Sequence, residues 1–368
     1  MKKWLDILKL KRIDLYIIGK FLGTYFFSLA LIITVIVVFD YNEKIDKFAT
    51  SNATLSEILF DYYLNLAPYY ANTFSALFVF ISVIYFTSKL AENSEIIAMF
   101  ASGISFKRML RPYMVSATLI AALTYTLSAY IIPKGNETRL EFEVRHNRKK
   151  KNTSAENIQL QVDENVVAFI EFYNTKNNMG TRFSLDKFED KKLVSHMTAN
   201  SIKYHPEEKY KWTLHNWMIR ELKGDVETIR SSWREPLDTI IKIEPEDFLI
   251  SEGQQETMTS PQLSRYIDKQ KARGMANIKP FEIEYHKRIA MSFAAFILTI
   301  IGASLSSKKT KGGMGLSLGI GLGLSFSYIL FQTISSAFAE QMPVVIAVWI
   351  PNILFSFIAL YLYRKAPK

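Results

Sequence analysis

Six stretches of this chain contain no Asp, Glu, Lys or Arg and are each long enough to cross a lipid bilayer: 21–39, 62–88, 112–133, 289–307, 312–339 and 341–363. About 20 mostly apolar residues in a helix span the hydrocarbon core. Each run is dense in Leu, Ile, Val, Phe and Ala. Inside the bilayer, backbone polar groups must be satisfied within the segment, so runs of this kind cross as helices. The runs fall into two groups of three. The fold class expected is therefore a membrane α-helical protein of six transmembrane helices, 3+3, with one large water-exposed domain inserted between the third and the fourth.

Charge sets the orientation. With the N-terminus cytoplasmic, the short inner segments carry Lys2, Lys3, Lys9, Lys11, Arg12, Lys20, Lys89, Lys107, Arg108, Arg111, Lys308, Lys309, Lys311, Arg364, Lys365 and Lys368; the short outer loops carry only Lys44 and Lys47. The opposite topology would invert this bias and violate the positive-inside rule. The net charge of +10 is thus chiefly a topology signal, and no nucleic-acid partner is expected. The first run is followed by Asp40-Tyr41-Asn42-Glu43-Lys44 and no small-residue cleavage site, so it reads as a retained helix. With no cysteine, disulfides, thiolate metal sites and cysteine nucleophiles are excluded.

Residues 134–280 form the expected extra-membrane domain, flanked by the helical parts 1–133 and 281–368. Its start, 136–152, is highly charged and reads as helix, then irregular chain. From 157 to about 243 apolar and polar residues alternate: Ile158, Leu160 and Val162, then the β-branched and aromatic run 166–173, then Phe183 and Leu185, then Trp212 and Leu214. Period-two runs separated by polar turns predict antiparallel strands in a sandwich or open barrel over roughly 140–250. The number of aromatics suggests an apolar face open to acyl chains. A short polar helix is expected over 259–273, with Ser260 as cap, Pro261 in its first turn and Gly274 at its end.

In the fifth run Gly315, Gly319 and Gly323 recur every four residues, with Gly321 and Ser325 beside them. Small residues at that spacing admit close helix approach, either within the bundle or at a subunit interface. Between the second and third runs, about 91–111, lies a different kind of segment. Ser94 suits an N-cap, Glu95 the first turn, Gly103 the end and Ser105 a second cap. The apolar residues Ile96, Ile97, Met99 and Phe100 between them are too few to cross a membrane. They need either the bilayer interface or a groove on a soluble partner, and physics alone leaves both open.

The residues Ser94-Glu95, Ala98-Met99, Ala101 to Ser105 and Arg108 resemble the coupling-helix region of the lipopolysaccharide-export permeases, the LptF/LptG family. Glu284 to Ala290 resembles that family's entry to its fourth helix, Lys311-Gly312-Gly313 its turn into the fifth, and Ala347-Val348-Trp349-Ile350-Pro351-Asn352 its sixth-helix motif. The likeness covers roughly 10–135 and 270–368; the middle matches by architecture. It implies the membrane half of an ABC transporter in the bacterial inner membrane, with both termini cytoplasmic and a periplasmic jellyroll-like domain. The implied partners are a cytoplasmic ATPase dimer, a paralogous permease, periplasmic jellyroll bridge proteins and lipopolysaccharide. No Walker A loop occurs, so ATP and Mg belong to the ATPase, no cofactor and no catalytic residue are expected here, and Ser94, Glu95, Ile97, Ala98, Met99, Gly103 and Arg108 would receive its motion.

An anionic glycolipid asks for cations at the outer mouth. Lys44 and Lys47 after the first run, and Lys134 and Arg139 after the third, are the candidates; each is otherwise an ordinary loop charge. Asp40 fits such a site poorly and is expected to pair with Lys44 at helical spacing. The five histidines show no metal-ligand spacing. A lipoprotein permease, a membrane-embedded enzyme acting on lipid-linked precursors and a scaffold are the competing readings. The first usually carries its large domain after the first helix. The second is disfavoured by six spans without a charge, and the third explains neither the coupling-like segment nor the glycine-rich fifth run.

Overall fold

The computed structural model describes residues 11–51, 53–147, 154–224, 226–249, 253–272, 278–307 and 313–366. The chain divides into two compact units, Met1–Asn147 with Glu282–Lys368, and Arg148–Phe281. The second begins later than position 134 because helix continues from the third span to Asn147.

All six expected spans are helices long and apolar enough to cross a membrane. The first, Arg12–Thr50, continues well past its apolar run. Its polar C-terminal end is held in helical form by the Lys44–Asp40 pair at 2.8 Å and by Lys47 in the last turn. The second run does not form one rod. A π turn at Ile58–Tyr63 leads into Leu64–Thr73, the chain breaks at Phe74, and the crossing helix is Ser75–Glu92. The third, Phe106–Thr126, passes through a π turn at Leu127–Ile131 into Ile132–Asn147. The second π turn contains Ala129, whose carbonyl the N–H-less Pro133 leaves unmet in the i−4 ladder. The charged stretch from 136 is therefore helix to Asn147; its continuation to 152 lies outside the described residues. Spans four to six are Lys279–Ser306, Gly313–Ala337 and Val344–Lys365.

The second span sits at the centre. Its most apolar window is 72% buried, against 17% in the first span and 22% in the fifth, so those two present apolar faces outward. One core joins spans one to three, where the Phe86 ring lies 5.6 Å from Phe21 and 5.1 Å from Tyr113. Another joins spans two, four, five and six around Phe80, Leu298, Tyr328 and Phe355. Asn352 stitches this second core: it accepts from the Tyr328 hydroxyl at 2.9 Å and donates to the Ala290 carbonyl at 2.8 Å. Such interhelical hydrogen bonds act as glue where hydrophobicity cannot distinguish helix from lipid.

Of the two readings of the fifth-span glycines, packing within the bundle does not hold for the expected three. A Cβ added to Gly315, Gly319 or Gly323 would meet nothing within 4 Å, and all three are exposed. The close approach falls on Gly321, where a Cβ would lie 2.2 Å from Ile84 Cδ1 and 3.5 Å from Phe80 Cε1. The buried ridge is Ser317–Gly321–Ser325, half a turn from the expected one.

The second unit is an antiparallel sheet, β1 (Ser154–Asp163), β2 (Val166–Asn174), β3 (Met179–Glu189), β4 (Lys192–Tyr204), β5 (Lys211–Lys223), β6 (Val226–Ser232) and β7 (Leu237–Ile240). β1 to β6 run as a meander, and β7 pairs with the first residues of β5 while β6 pairs with its last. The alternation read from the sequence holds: Ile158, Leu160, Ala168, Ile170, Tyr173, Phe183, Trp212 and Leu214 share one interior. Ile241, Ile243 and Phe248, from the segment after β7, fill it, and the Trp212 indole donates to the Ile243 carbonyl at 3.0 Å. The polar helix is Ser260–Ala272. Gln262 reaches back to the Thr259 backbone N–H at 2.9 Å, so the N-terminal hydrogen bonding centres one residue before Ser260. Residues 273–277, including Gly274, lie outside the described set.

Candidate functional site

The segment between spans two and three folds into a helix, Glu95–Ala101, with Ser94 at its N-cap and Ser102 at its C-cap. Its end is a complete Schellman motif: Ile104 N–H donates to the Met99 carbonyl at 3.1 Å and Gly103 N–H to Phe100 at 3.0 Å. Gly103 takes the left-handed conformation this requires, φ +83. Ser105 caps the third span through a bond accepted from the Arg108 N–H, 3.3 Å. The Ser94 expectation is met in place but not in chemistry. Its backbone is left-handed, φ 61, and its hydroxyl makes no capping bond.

The apolar residues of this helix divide by face. Ile96 is fully buried and Met99 and Phe100 pack against the core of spans one to three. Ile97 is 52% exposed, and Ala98, Ala101 and Gly103 are exposed with it. Of the four side chains expected to seek cover, one remains outside. The helix is therefore seated on the bundle, offering a small patch and not a whole apolar surface.

Polar contacts fix the seat. Glu95 accepts from the Tyr16 hydroxyl of the first span and from the Asn93 amide, each at 3.3 Å. Arg108 makes a bidentate pair with Asp14, Nη1–Oδ1 2.7 Å and Nη2–Oδ2 2.6 Å. Asp14 is 1% exposed and also accepts from the Lys11 backbone N–H at 2.8 Å. Planar fork-to-carboxylate geometry makes this one of the stronger polar contacts available. Glu92, at the end of span two, accepts from the Met314 N–H at the start of span five, 2.9 Å. The start of span one, the end of the short helix and the start of span three enclose a cleft of about 280 Å³ lined by Lys11, Met99, Gly103, Ser105 and Arg108 among others. Arg108, expected to face a partner, spends its guanidinium inside the chain. Asp14, Tyr16 and Glu92 were not singled out from the sequence; only a carboxylate amid basic residues marked Asp14, and its partner is 94 positions away.

The four expected lipid-facing cations do not form one cluster of free charges. Lys44 pairs with Asp40, hydrogen-bonds the Tyr62 hydroxyl and lies 4.7 Å above the Tyr62 ring centre. Tyr63 also donates to Asp40, at 3.2 Å. Arg139 stacks 5.6 Å from the Tyr69 ring centre and its Nε is buried without a hydrogen-bond partner. Lys47 and Lys134 are exposed. Around these groups Phe48, Ile58, Tyr62, Tyr63, Leu66 and Phe142 make a largely aromatic cluster at the C-terminal end of the first span.

Comparison with individual curated proteins gave no match. The family model described as "Lipopolysaccharide export system permease LptF/LptG" matches residues 15–365, nearly the whole chain. Together with six membrane-crossing helices and an antiparallel β-domain between the third and fourth, that match shows that the chain belongs to the LptF/LptG family of lipopolysaccharide-export permeases.

Proposed function

We propose that this chain works as one of two paralogous permeases mounted on a cytoplasmic ATPase dimer, lifting lipopolysaccharide out of the inner membrane and passing it through its β-domain to periplasmic jellyroll bridge proteins. Both termini are cytoplasmic in this reading, and ATP with Mg is held by the ATPase alone. The observation that carries it is the seated helix Glu95–Ala101. Its buried face grips the core of the first three spans while Ile97, Ala98 and Gly103 stay outside. A push on that exposed patch reaches span one through Glu95–Tyr16 and span three through the Schellman turn. Ser94, Glu95, Ile97, Ala98, Met99 and Gly103 are the receiving surface; Arg108 acts behind it as a positioning residue.

At the other end, Lys44, Lys47, Lys134 and Arg139 supply positive charge for the sugar phosphates. Two of them are already engaged with tyrosines, so single substitutions should be weak and a combined one clear. Purification of the full chain from native membranes should bring down an ABC ATPase and a second permease. Photo-crosslinkers at 47 and 134 should capture lipopolysaccharide, and reversal of all four charges should lower that yield while the ATPase still co-purifies. Purification without any ATPase would sink the reading. Capture unchanged by charge reversal would remove the outer-mouth cations from it.

A further inference from the structure

A cleft of the membrane unit adjoins the coupling corner, sharing Asp14 and Arg108 with it. It runs between spans three, four and six and measures about 750 Å³, within the range of sites that hold a small organic ligand. Its wall is Leu110, Met114, Phe296, Ile300, Ala359 and Leu360 among others. Through Phe296, Ile297 and Ser356 it continues into a further groove toward Trp349. Ser356 already donates to the Asn352 carbonyl at 2.7 Å, so its hydroxyl does not call for a polar occupant.

The charged groups lie at one end. Asp14 and Arg108 line the rim but neutralise each other in their bidentate pair. That leaves Lys107 and Arg111, both exposed and without an ion-pair partner among the described residues. They stand four residues apart on span three, where like charges are neighbours and repel. An anion shared between them relieves that repulsion. Phe296 lies eleven residues from the cytoplasmic end of its charge-free run, roughly 16 Å along a helix, which is hydrocarbon depth and beyond the side chains of a water-soluble partner.

We infer that this cleft is a binding site for an anionic glycerophospholipid of the cytoplasmic leaflet, its phosphate between Lys107 and Arg111 and an acyl chain along Phe296, Ile300 and Leu360. Basic pockets between transmembrane helices on the cytoplasmic side are suited to such headgroups. This lipid is distinct from the exported one, which enters from the other leaflet. The site rests on the proposed orientation, and because the chain has no cysteine, a cysteine introduced at Ser102 reports that orientation separately through reagents that do not cross the membrane.

The test uses the full chain in nanodiscs containing equal amounts of photoactivatable phosphatidylglycerol and phosphatidylcholine, with crosslinked peptides mapped by mass spectrometry. The expected result is preferential capture of phosphatidylglycerol on peptides containing Ile300 or Leu360. Lys107→Gln with Arg111→Gln should lower the preference by roughly tenfold to thirtyfold, the effect of two near-surface charges, without changing the melting temperature. Ile300→Trp, which fills the cleft, should reduce capture of both lipids; the surface glutamine pair keeps the test valid if that variant folds poorly. Equal capture of the two lipids, a preference unmoved by the glutamine pair, or crosslinking of these peptides to a protein instead would overturn the inference.

Discussion

Removing either half of the Asp14–Arg108 pair should have unequal consequences, and the inequality follows from where the charges sit. The Asp14 side chain is 2% exposed and that of Arg108 26%. Arg108→Ala strands a buried carboxylate with the Lys11 N–H as its other hydrogen bond. Leaving one member of a buried pair uncompensated costs about 3–5 kcal/mol. Asp14→Ala leaves a guanidinium that can turn toward the open cleft and water, so the cost should be nearer to about 1.5–3 kcal/mol, that of a lost charged hydrogen bond. Replacing both, Asp14→Leu with Arg108→Met, removes the stranded charge altogether and should recover to within roughly 1 kcal/mol of the natural chain. The assay is the order of thermal midpoints of the detergent-solubilised protein with its ATPase bound: natural chain, then double variant, then Asp14→Ala, then Arg108→Ala. The restored double variant should also keep its ratio of lipid transport to ATP hydrolysis, since Arg108 is here a brace. Equal midpoints for the two single variants, or additive losses in the double, would refute the reasoning; a stable double variant that hydrolyses without transport would return Arg108 to the partner-facing role.

Three further outcomes are expected. Gly103→Leu places a side chain at φ +83, with open space around it, so the cost is backbone strain of about 1–2 kcal/mol; together with Glu95→Ala it should lower transport per ATP hydrolysed while the β-domain keeps its strand signal by circular dichroism. Gly321→Leu should overpack the contact with Ile84 and Phe80 and cost about 1–3 kcal/mol, whereas Gly319→Ala, in open space, should leave the thermal midpoint unchanged or raise it, and the reverse order would mean the helix is rotated. In the β-domain, the Lys242 ammonium beside Asp163 holds that carboxyl below its usual range; such a group stabilises the fold above the ordinary carboxylate pKa of about 3.9 and loses that contribution as pH falls through its lowered value, so Lys242→Met should matter at pH 7 and not in strong acid when the melting of the domain is followed.

The spans were legible because hydrocarbon imposes a length and a charge rule that any reader can apply to residues one at a time. Where helices ended was less so. Asp40, Lys44 and Lys47 look like a loop by composition, yet their i,i+4 pairing carries the helix to Thr50. The strand alternation was equally plain as far as Ile243, but Phe248, which joins the same interior, follows a turn at Pro245–Asp247 that breaks the pattern. In the fifth span two small-residue ridges stand side by side, Gly315–Gly319–Gly323 and Ser317–Gly321–Ser325. Only the partner, with Phe80 and Ile84, decides which is packed. The coupling segment was visible from its caps and its length. Its seat was not, because the contacts of Arg108 with Asp14 and Glu95 with Tyr16 cross about 80 to 95 residues of chain.

The first span has a mechanical consequence. Thirty-nine residues without a π turn or a proline make a rod of roughly 58 Å, nearly twice the ~30 Å hydrocarbon thickness. Near its N-terminal end it is clamped by Asp14 to Arg108, and near its C-terminal end by Asp40 and Lys44 to Tyr62 and Tyr63. The segment leading into span two, with its π turn and its break at Phe74, and span three at its π turn can absorb a displacement by bending. An unbroken helix clamped at both ends carries a rotation imposed at Arg108 toward Lys44 with less loss than its interrupted neighbours.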